Sequence, residues 1–266
     1  MSTKNIIIAG ITLLVVVAIA GLALFNLAFT NDTAPSSPIT AVPLVVNTAT
    51  PNTQANQPQA TEVSATTTAT SATAGATAAP ASAAQGSGLV VFQIVPDQSQ
   101  ISFSIYEELA GQPKTVVGTT SQVAGQLALD AEDLSQTQVG VIQVNARALT
   151  TDNDRRNGAI RNFILNTDQY ELITFTPQSI TGLSGAAQPG QSFTFQMSGD
   201  LTIRDVTQSV TFTVTAEGAS ASQITGTATA TVNRSDFNLD IPSVPNVANV
   251  GEEVTLQIDF VANAQA

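Results

Sequence analysis

From Ile101 onward the apolar residues of this chain fall at alternate positions, and that period of two constrains the fold more than any other feature. Ile101, Phe103 and Ile105 alternate with serines; Phe193, Phe195 and Met197 with Thr194, Gln196 and Ser198; Val210, Phe212 and Val214 with Thr211, Thr213 and Thr215. Successive side chains on a strand point to opposite faces, so each stretch reads as a strand with one face buried and one in solvent. The pattern recurs over residues 123–129, 139–146, 172–180, 224–232 and 254–260, where Thr, Val, Phe and Ile add β preference. Gly182, Gln188-Pro189-Gly190 and Glu217-Gly218 read as turns between them. This many alternating strands predicts an all-β domain, either an antiparallel barrel or a two-sheet sandwich. In one strand the inward row Gly226, Ala228, Ala230 is small. Such a row leaves room inside a barrel or faces bulky neighbours such as the phenylalanines.

Composition places this domain at the C-terminal end of the chain. Residues 5–31 contain no charged side chain, and residues 6–29 include fifteen Ile, Leu, Val or Phe. As a helix, 6–29 would rise roughly 36 Å, enough to span a bilayer with some tilt. Lys4 precedes the segment and Asp32 follows it, which predicts a cytoplasmic N-terminus and an extracytoplasmic remainder. Ala18-Ile19-Ala20 has the form of a signal-peptidase site, but the apolar run continues past it, so residues 1–31 are read as an uncleaved transmembrane anchor. Residues 32–88 are rich in Thr, Ala, Ser and Pro with two charges, Asp32 and Glu62. They read as a disordered linker, because such a segment buries too little apolar surface to offset its ordering entropy. Residues 89–266 remain to fold as one domain.

Charge and missing residue types exclude several functions. The net charge of −12, with no Lys/Arg run, argues against a nucleic-acid partner. Without Cys or His there are no disulfides, thiolates or common zinc sites, and no Ser-His-Asp triad. Asp152-Asn153-Asp154 begins like a calcium loop, yet Arg156 and Phe163 stand where oxygen ligands are needed. The adjacent pairs Glu107-Glu108, Glu132-Asp133 and Glu252-Glu253 form no acid/base pair, since strand neighbours face opposite ways and turn carboxylates are solvated. No enzyme activity, cofactor or metal is therefore expected. One short helix is: Asp152-Asn153-Asp154 can cap residues 155–163, with Ile160, Phe163 and Ile164 sharing a face. Arg155, Arg156 and Arg161 concentrate basic charge there, suited either to an anionic head group or to pairing with local acids such as Asp152 and Asp154.

Three stretches carry a recognisable pattern. Thr150-Thr151-Asp152-Asn153-Asp154-Arg155, then Ile160-Arg161-Asn162-Phe163 and Ile173-Thr174-Phe175, resembles the central signature of the YceI-like family. Gly199-Asp200-Leu201-Thr202-Ile203 with Val206-Thr207 and Val210-Thr211-Phe212, and Arg234-Ser235-Asp236-Phe237-Asn238 with the closing strand from Glu253, resemble its remainder. Arg156 departs from a common Asp, Tyr170-Glu171 from Tyr-Pro, and Arg204-Asp205 from His-Gly. The resemblance implies a lipocalin-like antiparallel barrel whose apolar cavity holds a polyisoprenoid or related long lipid. Taken with the alternation, it nominates Phe103, Ile105, Phe163, Phe175, Phe193, Phe195, Phe212 and Val214 as cavity-lining and Arg155 and Arg161 as head-group contacts. The expected function is a membrane-tethered lipid-binding module; the alternative is a ligand-free surface or adhesion module.

Overall fold

The computed structural model describes residues 38–46, 88–188 and 190–265. The expected anchor and most of the expected linker lie outside the described residues, and no described helix is long and apolar enough to cross a membrane. Within them the chain forms one curled antiparallel sheet, in line with a lipocalin-like form. Its strands are β1 (Leu89–Ile94), β2 (Gln100–Leu109), β3 (Gln112–Thr120), β4 (Val123–Ala124), β5 (Gln126–Asp130), β6 (Gln138–Val139) and β7 (Ile142–Asn145). They continue with β8 (Leu172–Thr181), β9 (Ser192–Ile203), β10 (Val206–Ser220), β11 (Gln223–Asn233), β12 (Val247–Ala248) and β13 (Glu253–Ala264).

The main path runs β4-β7-β8-β9-β10-β11-β13-β1-β5-β6, with β2 and β3 branching from β13. The branch lies along β13, whose 254–259 stretch pairs with β2 while 262–264 pairs with β1. β4 and β5 flank Gly125 and sit far apart in that order, so the sheet must curl to bring them together. The Ile94 amide donates to the Gly125 carbonyl at 3.0 Å, and Thr119 and Thr150 exchange two backbone bonds of 2.8 and 3.0 Å. A Cβ on Gly125 would lie 2.5 Å from Ile142 Cδ1, so any larger residue there would have to displace the end of the Ile142 side chain.

The alternation settles which side is inside. Phe175, Met197, Leu201, Val210, Phe212 and Val214 are buried. Thr194, Thr211 and Thr213 face out, where hydroxyls pair across strands, as in Ser198–Thr211 at 2.7 Å and Thr194–Thr215 at 3.1 Å. Three expectations change. β1 and β3 are not legible by alternation: β1 opens with the unbroken apolar run 89–92, and β3 carries Pro113 and Lys114 and, among the described strands, pairs with β2 alone. Glu217-Gly218 is not a turn; β10 runs through it with a bulge between Gly218 and Ser220, and reverses after Ser220. Residues 38–46 are not part of a disordered linker: Ala41 is buried, and the Leu44 amide donates to Gln126 Oε1 at 2.8 Å. Ile39, Ala41, Leu44 and Val46 supply the apolar surface that the Thr/Ala runs around them lack.

Candidate functional site

The expected helix is present as α1 (Asp154–Ala159), continued by a π turn over Ile160–Ile164. Asn153 Oδ1 accepts the Arg156 amide at 3.1 Å, while Asn157 Oδ1 accepts both the amide and the hydroxyl of Thr151 at 2.7 Å. The i→i+5 bond from the Leu165 amide to the Ile160 carbonyl changes which side chains share a face. Ile160 and Ile164 stay on the interior face, and Phe163 is carried round to the surface, 48% exposed. Phe163 is therefore no cavity residue; the sequence reading assumed α-helical spacing throughout.

Between this helix, β2 and the sheet lies an apolar cavity of about 490 Å³. Phe103 and Ile105 of β2, Ile173 of β8, Ile203 of β9 and Leu256 of β13 form its walls. Residues 239–251 roof it with Ile241, Pro242, Val244 and Val250. The roof is pinned at both ends by one side chain: Arg234 Nη1 donates to the Leu239 carbonyl and Nε to the Gly251 carbonyl, each at 3.1 Å. Glu252 completes the guanidinium's partners at 3.1 Å. β12, inside the roof, pairs with the end of β2.

The rim is charged. Arg156 pairs with Glu107 at 2.7 Å and with Asp152, and Asp152 accepts from Lys114 at 2.7 Å. The Lys114 ammonium, with Arg156 behind it, holds the Asp152 carboxyl below its usual range. Glu107 and Glu108 lie in a strand and face opposite ways, as the sequence allowed; Glu107 takes the inward face of β2 and is 5% exposed. Arg155 also lines the cavity and is exposed, with no ion pair among the described residues. Arg161 does not line it and is engaged elsewhere. Sequence reasoning missed Arg234 and the roof, whose Pro-containing apolar stretch was the available signal, and Glu107, whose partner is far away along the chain.

A second apolar cavity of about 130 Å³ lies among β5, β9, β10 and β13. Phe193, Phe195 and Val214 line this one. Phe175 and Phe212 line neither; they pack edge to face with ring centroids 5.0 Å apart. Of the small row, Ala228 borders the second cavity, while a Cβ at Gly226 would meet the Thr215 carbonyl at 2.6 Å and the Phe260 ring at 2.7 Å. No group of three or more metal-binding side chains occurs among the described residues.

The YceI-like domain model matches residues 92–262, well over half of the chain. The chain belongs to the YceI-like family. Among solved structures, this YceI-like chain is similar to a polyisoprenoid-binding domain from Saccharophagus degradans implicated in plant cell wall breakdown. Identity is 14%, TM-score 0.52, with 66% of this chain and 99% of that one covered. BcnA from Burkholderia cenocepacia is 19% identical, with TM-score 0.49 and coverage of 64% and 99%. A Campylobacter jejuni YceI protein is 17% identical, with TM-score 0.42 and coverage of 56% and 85%. No curated protein sequence matches the chain.

Proposed function

We propose that this YceI-like protein is a non-catalytic binding protein for a polyisoprenoid or similar long-chain lipid. In this reading its N-terminal apolar span holds it at the outer face of a cytoplasmic membrane. The observation that carries the reading is the roofed cavity of about 490 Å³, whose lining is mainly apolar, with the charged side chains Glu107, Lys114, Arg155, Arg156 and Arg234 also bordering it. Its size falls within the range of about 300–1,000 Å³ usual for small-ligand sites. The polyisoprenoid binding of the Saccharophagus domain, on the same fold, supports the choice of lipid.

The energetics favour exchange over tight capture. A prenyl chain gains about 0.8 kcal/mol per CH₂ on leaving water for the pocket, but a similar amount is lost when it leaves a bilayer. A tether that keeps the domain beside the membrane raises encounter frequency without demanding high affinity. The exposed Arg155 at the mouth is placed to meet a charged head group.

Native mass spectrometry of the full-length protein extracted from membranes tests the reading. The expected result is a co-purified isoprenoid or other long lipid, lost when Phe103 or Ile105 is made polar. A lipid-free protein in which Phe103→Ala costs the full 3–5 kcal/mol or so of a packed core would instead support a ligand-free structural module.

A further inference from the structure

The two cavities share no lining residue, and the strands show what divides them. On β8, Ile173 faces the larger cavity and the next inward residue, Phe175, faces neither. On β9, Ile203 belongs to the larger cavity and Met197 to the smaller, with Leu201 between. On β10 and β11, Val214 and Ala228 border the smaller cavity, and their inward neighbours Phe212 and Ala230 border neither of the two. Phe175, Leu201, Phe212 and Ala230 are all buried, at 5%, 4%, 3% and 8% exposure. On β13, Leu256 faces the larger cavity and Ile258 the smaller, two residues or about 7 Å apart, so the partition is thin on that side.

We infer that the interior accepts hydrocarbon only as far as this layer, and that Phe175 and Phe212 set the longest chain the domain can fully enclose. The inference rests on the lipid-binding reading above and adds a length limit to it. A chain entering under the 239–251 roof meets the edge-to-face ring pair as a wall. Isoprene units beyond that depth must remain outside the cavity and contribute no burial. The smaller cavity behind the wall is lined mainly by apolar side chains, with Thr137 and Glu217 at its edge, so removing one ring joins two spaces that both suit hydrocarbon. Phe175 is backed by Gly199, where an added Cβ would come within 2.8 Å of the ring tip, so the ring cannot retreat in that direction.

The test uses the full-length protein held in amphipol with no free micelles, stripped of lipid and offered linear prenyl alcohols from geraniol to solanesol in competition from water, so that burial is not offset by a second hydrocarbon phase. Each buried methylene adds about fourfold to retention. Wild-type retention, read by native mass spectrometry, is expected to climb with chain length and then level off before solanesol. In Phe212→Ala and Phe175→Ala the levelling point moves to longer alcohols, enriching solanesol by about tenfold or more over wild type, the effect of fewer than two newly buried methylenes. Adding Ala216→Leu, which fills the smaller cavity, restores the wild-type levelling point in the Phe212→Ala background and leaves the wild type unchanged.

Retention that climbs through solanesol in the wild type overturns the inference, as does an unmoved levelling point in a variant whose thermal melt shows it folded. Should the alanine variants not fold, the wild-type series and the milder Phe212→Leu still decide, since Phe212→Leu must shift the levelling point in the same direction. If the wild type retains no alcohol of any length, the lipid-binding reading itself fails, and the length limit with it.

Discussion

Two glycines show how the consequence of one added methyl depends on what stands opposite. A Cβ at Gly118 would lie 2.2 Å from the Phe103 ring, and at Gly199 it would lie 2.4 Å from the Thr176 carbonyl and 2.8 Å from Pro177 Cα. The Phe103 ring borders open space and can swing into the larger cavity; the β8 backbone cannot yield without breaking its pairing with β9. Gly118→Ala is therefore expected to cost under about 1 kcal/mol while reducing lipid retention, and Gly199→Ala to cost about 1–3 kcal/mol. Thermal melts and native mass spectrometry separate the two. At the rim, Asp152 has its pKa lowered chiefly by the bond from Lys114. A carboxyl with a lowered folded pKa adds stability that is complete above its unfolded value and disappears as pH falls through the folded one. The melting-temperature gap between wild type and Asp152→Asn should thus be constant above about pH 4 and close below it. A gap that persists into strong acid would mean that Asp152 acts through packing and not through charge.

Among elements, the roof and the docked segment differ most from the sheet in how they are held. The 239–251 roof joins the sheet through β12 and through one guanidinium that reaches both of its ends. Arg234→Ala should loosen it, with faster hydrogen exchange across 239–251 and quicker lipid loss, while the exchange protection of β9–β11 stays unchanged. Residues 38–46 lack strand pairing and rest on Ala41, on Leu44 against Gly140, and on the Leu44–Gln126 bond. Leu44→Asp removes the apolar contact and sets a charge on the sheet. It is expected to lower the melting temperature by about 2–4 °C, the shift produced by roughly 1 kcal/mol in a domain of this size. It should also open this segment to proteases. An unaltered digestion pattern would show that the contact contributes little in solution.

For the molecule as a whole, apolar insertion and not charge should decide where it resides, because a net charge of −12 gives it no attraction to an anionic lipid surface. The full-length protein is expected to stay in the membrane pellet after a high-salt wash, and protease added outside intact cells should release the β domain. A soluble product beginning near Gly21 would show instead that the apolar segment is removed. The sequence alone determined the all-β class, which face of β2, β8, β9 and β10 is buried, and where the capped helix begins. These are local properties, carried by a period of two and by Asn153 at a helix start. It could not determine which inward phenylalanines border space. Phe103 lines the larger cavity and Phe193 the smaller, whereas Phe175 and Phe212 close on each other, although all four obey the same alternation. Nor could it place Phe163 outside, pair Glu107 with Arg156, or seat 38–46 against Gln126. Periodicity assigns a side chain to a face of the sheet. Whether that face meets a ring, a charge or an empty volume depends on residues brought opposite it by the curl, and only the tertiary structure decides that.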